Sequence, residues 1–264
     1  MAKIRIEPVR LTSMGKQALG YGKSPIKDHC LVTFSPEGAK VAFGLAGDVL
    51  VYAQYNKEYF KAIDAASEEA FVFTLSLVKE RLAYGFKGEE VTMHTDAQKV
   101  YLTGTTKDDT ADEALTAVTT EMIEAKAPFS VAMTDLGLVM DKLSEPFNLQ
   151  ALISQDTFAD LPVYETVTFD TDGKSLTMYL GDQLGNRKRP VTIKQYANAN
   201  KPQVEPVGTP LKVTYNMKLI QQLINIFDGD VWLSINGGAL VLSQKQKDYA
   251  LTYVISAYEE PKPQ

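Results

Sequence analysis

The chain has 264 residues, of which 45% are hydrophobic and 23% are charged, so it can bury a large core in one big domain or two modest ones. Its 27 basic and 33 acidic residues give a net charge of −6, which argues against a protein that binds nucleic acid over its whole surface but allows a local basic patch. The single cysteine, Cys30, excludes an internal disulfide and a multi-cysteine zinc site.

The sequence contains no apolar run of about 18 residues, the length that a membrane-spanning helix needs. Its first residues, MAKIRIEPVRLTSMGKQ, lack the apolar core of a signal peptide. We therefore expect no membrane association and a cytoplasmic location, in the host cell cytoplasm if the protein is viral.

The first quarter of the chain is predicted to form a strand, a short helix and three further strands, because its apolar residues alternate or repeat in those stretches. The strand covers residues 4–9, the helix 10–19, and the later strands 29–34, 40–45 and 49–55. Pro36-Glu37-Gly38 predicts a turn between the first two of those later strands.

Residues 73–103 and 213–243 show the same order of predicted elements: strand, short helix, strand, tight turn, strand. In the second copy, apolar residues recur every three or four positions and polar residues recur on the opposite side, which predicts an amphipathic helix. The apolar stripe is Met217, Ile220, Leu223, Ile224 and Phe227, and the polar stripe is Lys218, Gln221, Gln222 and Asn225. After the helix, Gly237-Gly238 predicts a tight hairpin.

The third quarter repeats the pattern more weakly, with a strand at 129–133, a helix at 135–143 that begins at an acidic cap, and strands at 165–169, 175–180 and 190–196. Residues 107–126 join the halves, partly as a strand at 114–119. The predicted fold class is therefore α+β, with two similar domains that each contain two β-α-β-β-β units. The expected boundaries are 1–120 for the N-terminal domain, 121–128 for an interdomain connector and 129–264 for the C-terminal domain.

The residue types that usually catalyse reactions or bind metals are sparse and badly spaced. His29 and His94 lie far apart and do not form the HExxH spacing of a zinc hydrolase. Cys30 lies in an apolar run typical of a buried strand. Gly22-Lys23-Ser24 lacks the first glycine of a phosphate-binding loop, and Asp170-Thr171-Asp172-Gly173 fits a hairpin turn better than a calcium loop. We therefore expect a non-enzymatic protein without a cofactor or metal, whose function is carried by a surface.

Two similar halves, each a doubled unit with one helix per unit, resemble the DNA sliding clamps. The stretch VTYNMKLIQQLINIFDGDVWLSINGGALVLSQKQKDYALTYVISAYEE (213–260) is similar to the end of a clamp subunit. Its last predicted strand, 253–260, is similar to the closing strand of tailed-bacteriophage clamps, and the architecture also resembles that of proliferating cell nuclear antigen (PCNA).

The resemblance implies a processivity factor for DNA replication, built as a homotrimeric ring of head-to-tail subunits with antiparallel sheets outside and helices around a central hole. Double-stranded DNA would pass through the hole without sequence-specific contacts. The ring would tether the DNA polymerase, a clamp loader would open the ring with ATP, and the ring itself would catalyse no reaction.

The resemblance assigns DNA contacts to long basic side chains on the helices, because exchangeable phosphate contacts allow a ring to slide. The candidates are Lys16, Lys79, Arg81, Lys142 and Lys218. Lys218 lies on the polar stripe and is the best supported, whereas Arg10 and Lys23 are weaker additions. Ordinary solvated helix charges are the alternative for all of them. Arg187-Lys188-Arg189, in a predicted loop, fits either a DNA contact or a solvated loop.

Clamps also bind short partner peptides in an apolar pocket beside the interdomain connector and the last strand. The resemblance places that pocket at Met122, Ile123, Ala257, Tyr258 and Pro261, although Ile123 and Tyr258 could instead pack in the core.

Two other functions stay open. A monomeric viral processivity factor of the same fold is disfavoured by the negative net charge. The second is a β-rich virion structural protein. That function would not explain why the predicted helices number four, one for each group of strands.

Overall fold

The computed structural model describes residues 2–19, 29–45, 49–74, 90–95, 99–107, 116–124, 137, 140–141, 143, 147, 149–155, 158, 161–162, 164–172, 176–181, 189–193 and 210–258. The strands in these ranges are β1 (Lys3–Ile6), β2 (His29–Ser35), β3 (Gly38–Leu45), β4 (Val49–Asn56), β5 (Ala62–Asp64), β6 (Glu69–Thr74), β7 (Val91–Thr95), β8 (Lys99–Lys107), β9 (Thr116–Glu124), β10 (Leu149–Ile153), β11 (Thr166–Thr171), β12 (Leu176–Gly181), β13 (Arg189–Ile193), β14 (Leu211–Asn216), β15 (Val231–Asn236), β16 (Ala239–Lys245) and β17 (Tyr249–Ser256). The helices whose bounds lie in these ranges are α1 (Pro8–Leu19), α2 (Met217–Ile224) and a short 3-10 helix at Lys57–Tyr59.

The chain divides into two compact units. Unit 1 comprises Met1–Leu45, Val51–Gly137 and Lys245–Leu251, and unit 2 comprises Ala46–Leu50, Leu138–Gln244 and Thr252–Gln264.

Unit 1 contains two sheets and α1. One sheet has the strand order β5-β1-β7-β8-β9 with antiparallel pairs, and the other contains β4-β3-β2-β6. Buried residues alternate with more exposed ones in β1 and β7, as with Ile4 and Ile6 of β1 and Val91 and Met93 of β7. This is the period-two pattern of a sheet that turns one face to the core. α1 packs against β3.

Unit 2 contains an antiparallel sheet with the order β13-β12-β11-β14 and the antiparallel strands β10-β15-β16. α2 follows β14 directly and packs against β14 and β11. The β15-β16 hairpin turns at Gly237-Gly238, where Asn236 pairs with Ala239 and Gly237 has a φ of +59°. Glycine tolerates this left-handed conformation, so the predicted tight hairpin is confirmed.

Gly38 is the residue of the β2-β3 turn that no other amino acid could replace without distortion. It has a φ of +142°, and a Cβ atom there would lie 1.9 Å from the carbonyl oxygen of Tyr55. Backbone atoms cannot yield as the end of a flexible side chain can, so the close approach of β3 to β4 requires a glycine.

The second copy of the repeat is confirmed element by element, because β14, α2, β15, a two-residue turn and β16 follow one another as predicted. In the first copy, β6, β7 and β8 are confirmed. Its predicted helix falls within residues 75–89, outside the described residues. In the third quarter, Gly137, Met140, Asp141 and Leu143 are helical within the predicted helix 135–143, whereas the predicted strand 129–133 lies outside the described residues.

Some predicted boundaries are wrong. The first strand ends at Ile6 and α1 begins at Pro8, because the first position of a helix needs no backbone N–H and suits proline. The last strand runs from Tyr249 to Ser256 rather than over 253–260. β5 and β10 were not predicted, and β9 extends to Glu124, so residues 121–124 of the predicted connector are strand residues.

None of the helices in the described residues is long and apolar enough to cross a membrane.

Candidate nucleic-acid interface

α1 buries one face and exposes a lysine on another. Leu11 and Met14 are buried in the core, and Gln17 is only 4% exposed. The Tyr55 hydroxyl donates a 2.8 Å hydrogen bond to Gln17 Oε1, which satisfies this buried amide oxygen. Lys16, in the last turn, is exposed. Its ammonium group interacts favourably with the negative end of the helix dipole and is also accessible to an external anion.

α2 separates apolar from polar residues. The Asn216 side chain caps the helix by accepting a 3.1 Å hydrogen bond from the backbone N–H of Leu219. The buried stripe consists of Met217, Ile220, Leu223 and Ile224. Lys218 and Gln222 lie one turn apart and are both exposed. Lys218 forms no ion pair with any described residue, so its ammonium is accessible for an outside partner.

Gln221, which the sequence placed on the polar stripe, is hydrogen-bonded to the rest of the protein. Its Nε2 donates hydrogen bonds to the carbonyl oxygens of Phe158 and Leu161, at 3.4 Å and 3.1 Å. The exposed part of the stripe is therefore narrower than predicted and consists of Lys218, Gln222 and Asn225. Helical periodicity could not reveal this, because the two carbonyl groups lie about sixty positions earlier in the chain.

Neither α1 nor α2 contains an aspartate or a glutamate, although the chain has 33 acidic residues. A helix surface without carboxylates does not repel phosphate, and a single lysine suffices to make it locally attractive. The helical residues around 137–143 differ, because Asp141 is exposed there. The predicted DNA contact at Lys142, next to it, lies outside the described residues.

Arg10, a weaker candidate for DNA contact, is held in a local network within unit 1. Its Nη1 donates hydrogen bonds to Asp248 Oδ2 at 2.8 Å and to the Tyr59 carbonyl oxygen at 2.9 Å. The guanidinium carbon also lies 5.0 Å from the centre of the Tyr59 ring. The structure thus assigns Arg10 to packing between α1 and its neighbours.

Several predicted site residues are not tested by the structure. Lys23, Lys79, Arg81, Lys142, Arg187, Lys188 and Pro261 lie outside the described residues. Arg189 begins β13, and Met122 and Ile123 lie in β9, but their side chains are not described. Their roles stay predictions.

The described residues contain no group of three or more His, Cys, Asp or Glu side chains that could hold a metal ion. His94, in β7, stacks on Tyr101 of β8 with ring centres 4.7 Å apart. Burial raises the pKa of the Tyr59 and Tyr215 hydroxyls above its usual value.

No protein-family model and no curated protein matches this sequence. Solved structures do match it. A chain of the PCNA2–PCNA3 complex from Sulfolobus tokodaii aligns with a TM-score of 0.68 and 13% identity, over 97% of this chain and 98% of that chain. The structure of the C-terminal region of FEN-1 bound to A. fulgidus PCNA aligns with a TM-score of 0.69 and 7% identity, over 99% of this chain and 100% of that chain.

The chain has the PCNA fold. This confirms the predicted α+β class with two similar clamp domains, and it confirms the resemblance to sliding clamps at the level of the fold. At 13% and 7% identity, the PCNA fold assigns no role to individual residues. The likeness to bacteriophage clamps in particular stays a prediction.

Within the PCNA fold, the predicted peptide pocket can be followed in part. Ala257 and Tyr258 come directly after β17 and are half-buried. The backbone N–H of Tyr258 donates a 2.7 Å hydrogen bond to the carbonyl oxygen of Thr214 in β14, which fixes the path of the chain there. Met122 and Ile123 lie in β9, paired with β8. The pocket that these residues would form together stays a prediction.

Proposed function

We propose that this chain is a DNA sliding clamp, a processivity factor that encircles duplex DNA. The observation that carries the proposal concerns the helices α1 and α2. Each contains no aspartate or glutamate and has one exposed lysine, in an acidic chain with the PCNA fold. The lysines are Lys16 and Lys218. Because an acidic body repels DNA, the phosphate backbone would be drawn to the helix surfaces and away from the rest of the chain.

Exposed lysines suit sliding better than base-reading side chains do. A flexible ammonium exchanges between neighbouring phosphates at nearly equal energy, whereas contacts to base edges would hold the ring at one sequence. Lys79, Arg81 and Lys142 would extend the same surface.

A homotrimeric ring needs two different edges that pair head to tail between subunits. We place this contact at β9 and β13, each an edge strand of its sheet among the described residues. β9 spans nine residues and its sequence, TAVTTEMIE, contains two glutamates, whereas β13 begins with Arg189. The opposite charges would favour pairing of the two edges and disfavour pairing of β9 with itself.

The ring would act as a tether and not as an enzyme. In the proposal the DNA polymerase docks a short peptide in an apolar pocket lined by Met122, Ile123, Ala257, Tyr258 and Pro261, and a clamp loader opens the ring. A. fulgidus PCNA binds the C-terminal region of FEN-1, which supports peptide capture by a chain of this fold. Bacteriophage replication in the host cytoplasm is the setting that we propose.

Light scattering after gel filtration tests the proposal. We expect a particle with three times the mass of one chain, concentration-independent over the micromolar range. A single-chain mass would favour the monomeric viral processivity factor instead. A large open assembly would favour the virion structural protein.

A further inference from the structure

Three exposed lysines lie on two segments of unit 1 that are distant in sequence but bonded to each other. Lys57 begins the 3-10 helix after β4, Lys245 ends β16, and Lys247 lies in the turn between β16 and β17. The segments are joined at Asn56. Its backbone N–H donates a 2.9 Å hydrogen bond to the Asp248 carbonyl oxygen, and its Nδ2 donates to the Lys247 carbonyl oxygen at 3.3 Å. Lys57, Lys245 and Lys247 are called the loop lysines below.

Both segments are fixed to the first turn of α1. Arg10 Nη1 donates hydrogen bonds to Asp248 Oδ2 at 2.8 Å and to the Tyr59 carbonyl oxygen at 2.9 Å. The Tyr249 ring meets the Tyr59 ring edge to face, with centres 6.2 Å apart. The N–H of Gln246 donates a 2.8 Å hydrogen bond to the Tyr249 carbonyl oxygen, which closes the turn. The loop lysines therefore extend from a well-anchored backbone beside the start of α1.

The charge around the loop lysines is positive. None of them forms an ion pair with any described residue. Of the carboxylates nearby, Asp248 is paired with Arg10 at 2.8 Å, and Glu7 lies 3.7 Å from Arg10 Nε. Glu58, next to the first loop lysine in sequence, is exposed and opposes one of the three charges. A cluster of unpaired ammonium groups in a chain with a net charge of −6 attracts a polyanion locally.

We propose that the loop lysines contact the phosphate backbone of duplex DNA, as a second contact site beside the first turn of α1. This inference rests on the proposed clamp function. Lys16 lies in the last turn of α1, six residues after Arg10, which corresponds to about 9 Å along the helix axis. The loop lysines would therefore extend the phosphate contact of Lys16 along α1 and onto the two segments at its start.

The chemistry of the site favours a phosphate backbone over an acidic peptide. Tyr55, Tyr59 and Phe60, the aromatic residues of the first segment, are 1%, 4% and 6% exposed. They are therefore not accessible as an apolar pocket for the anchor side chains that dominate peptide affinity. Lysine ammonium groups exchange easily between neighbouring phosphates and read no base sequence, which suits a protein that slides.

Acetylation of lysines, followed by peptide mass spectrometry, tests the proposal in the unaltered protein. The protein is labelled both free and bound to nicked circular duplex DNA. We expect the loop lysines, Lys16 and Lys218 to lose reactivity on DNA, whereas the exposed strand residue Lys40 should react at the same rate in both samples. Protection of Lys16 and Lys218 without the loop lysines would overturn this inference and leave the clamp function standing. Protection of none of these five lysines would overturn both.

The second test combines Lys57→Gln, Lys245→Gln and Lys247→Gln in one variant. The matched control removes the same charge from three exposed strand residues, by Lys3→Gln, Lys40→Gln and Lys212→Gln. The binding constant for duplex DNA is measured at several salt concentrations. In the loop variant, the slope of its logarithm against the logarithm of salt concentration should become less steep by at least about 0.9 per subunit, the value for one phosphate contact, and the control should change less.

Equal slopes in the loop variant and the control would overturn the inference. So would a loop variant that keeps the wild-type slope on DNA but loses binding of polyglutamate, because the site would then take an acidic protein segment instead. Wild-type protein that does not bind the duplex at any salt concentration would contradict the clamp function itself.

Discussion

Arg10 Nη1 and Asp248 Oδ2 lie 2.8 Å apart although 238 positions separate the two residues in the chain. The contact joins α1 to the turn between β16 and β17, all within unit 1. The same Nη1 also donates to the Tyr59 carbonyl oxygen, and the Tyr59 hydroxyl donates back to the Arg10 carbonyl oxygen at 2.8 Å. One guanidinium thus connects three segments of the unit.

Replacing Arg10 with alanine should lower the free energy of unfolding by about 1–3 kcal/mol, because Asp248 and the Tyr59 carbonyl oxygen would lose a charged donor. Urea denaturation measures the change. Arg5→Ala is the matched control, because Arg5 is exposed and lies 3.8 Å from Glu90. It should cost less than about 1 kcal/mol, as surface ion pairs do. Equal losses would show that the Arg10 network adds nothing beyond an ordinary surface pair.

Replacing Lys218 with glutamate should weaken DNA binding. The logarithm of the binding constant should also fall less steeply with the logarithm of the salt concentration, by the slope that corresponds to about one phosphate contact per subunit. The free energy of unfolding should change little, because Lys218 is exposed. Fluorescence titration with a duplex at several salt concentrations measures the slope. Lys40→Glu makes the same charge change on an exposed strand residue. A slope that changes equally in both variants would contradict a specific role for α2.

Removing the hydroxyl should change the free energy of unfolding in opposite directions at two buried tyrosines. Tyr215 is fully buried, and its hydroxyl has no hydrogen-bond partner among the described residues, so Tyr215→Phe should raise the free energy of unfolding by about 1 kcal/mol. Tyr55→Phe should lower it by about 1–2 kcal/mol, because Gln17 Oε1 loses a buried donor. Thermal and urea unfolding of both variants give the values. A loss of stability in Tyr215→Phe would mean that the hydroxyl is satisfied in solution.

Gln244 should contribute more to stability than an exposed glutamine does. Its side chain is 6% exposed, donates to the carbonyl oxygens of Asp228 and Asp230, and accepts from the Asp228 N–H. Gln244→Ala should therefore cost about 1–3 kcal/mol of unfolding free energy by leaving these backbone groups without partners. Gln222→Ala, on the exposed face of α2, should cost less than about 0.5 kcal/mol. Similar costs would mean that water replaces the Gln244 contacts fully.

The parts of the fold that sequence could predict are those in which a local pattern has one solution. The apolar spacing from Met217 to Ile224 fits only a helix, and Gly237-Gly238 between alternating strands fits only a tight hairpin. Pro8 was misplaced because proline suits both the end of a strand and the first position of a helix. β5 was missed because its three residues are too few to show a period.

The candidate site was predictable only where a side chain faces solvent. The exposure of Lys218 was predictable because the helical period places it on the polar side of α2, whereas its contact with DNA stays a prediction. Helical period placed Gln221 on the polar stripe, but its partners Phe158 and Leu161 lie far along the chain. Arg10 was a weaker candidate for DNA contact, and its partner Asp248 is also distant in sequence. Such contacts depend on tertiary packing, which no local spacing encodes.

Topological retention tests the central claim most directly. The protein is first diluted and then concentrated in the presence of nicked circular duplex DNA, so that rings close around the DNA. Gel filtration separates the DNA-bound protein from the unbound protein. Half of the sample is then treated with a restriction enzyme that cuts the circle once. A sliding clamp should stay with the circle and leave the linear DNA through its ends. Equal retention on circular and cut DNA, or no retention on the circle, would contradict a ring that encircles DNA.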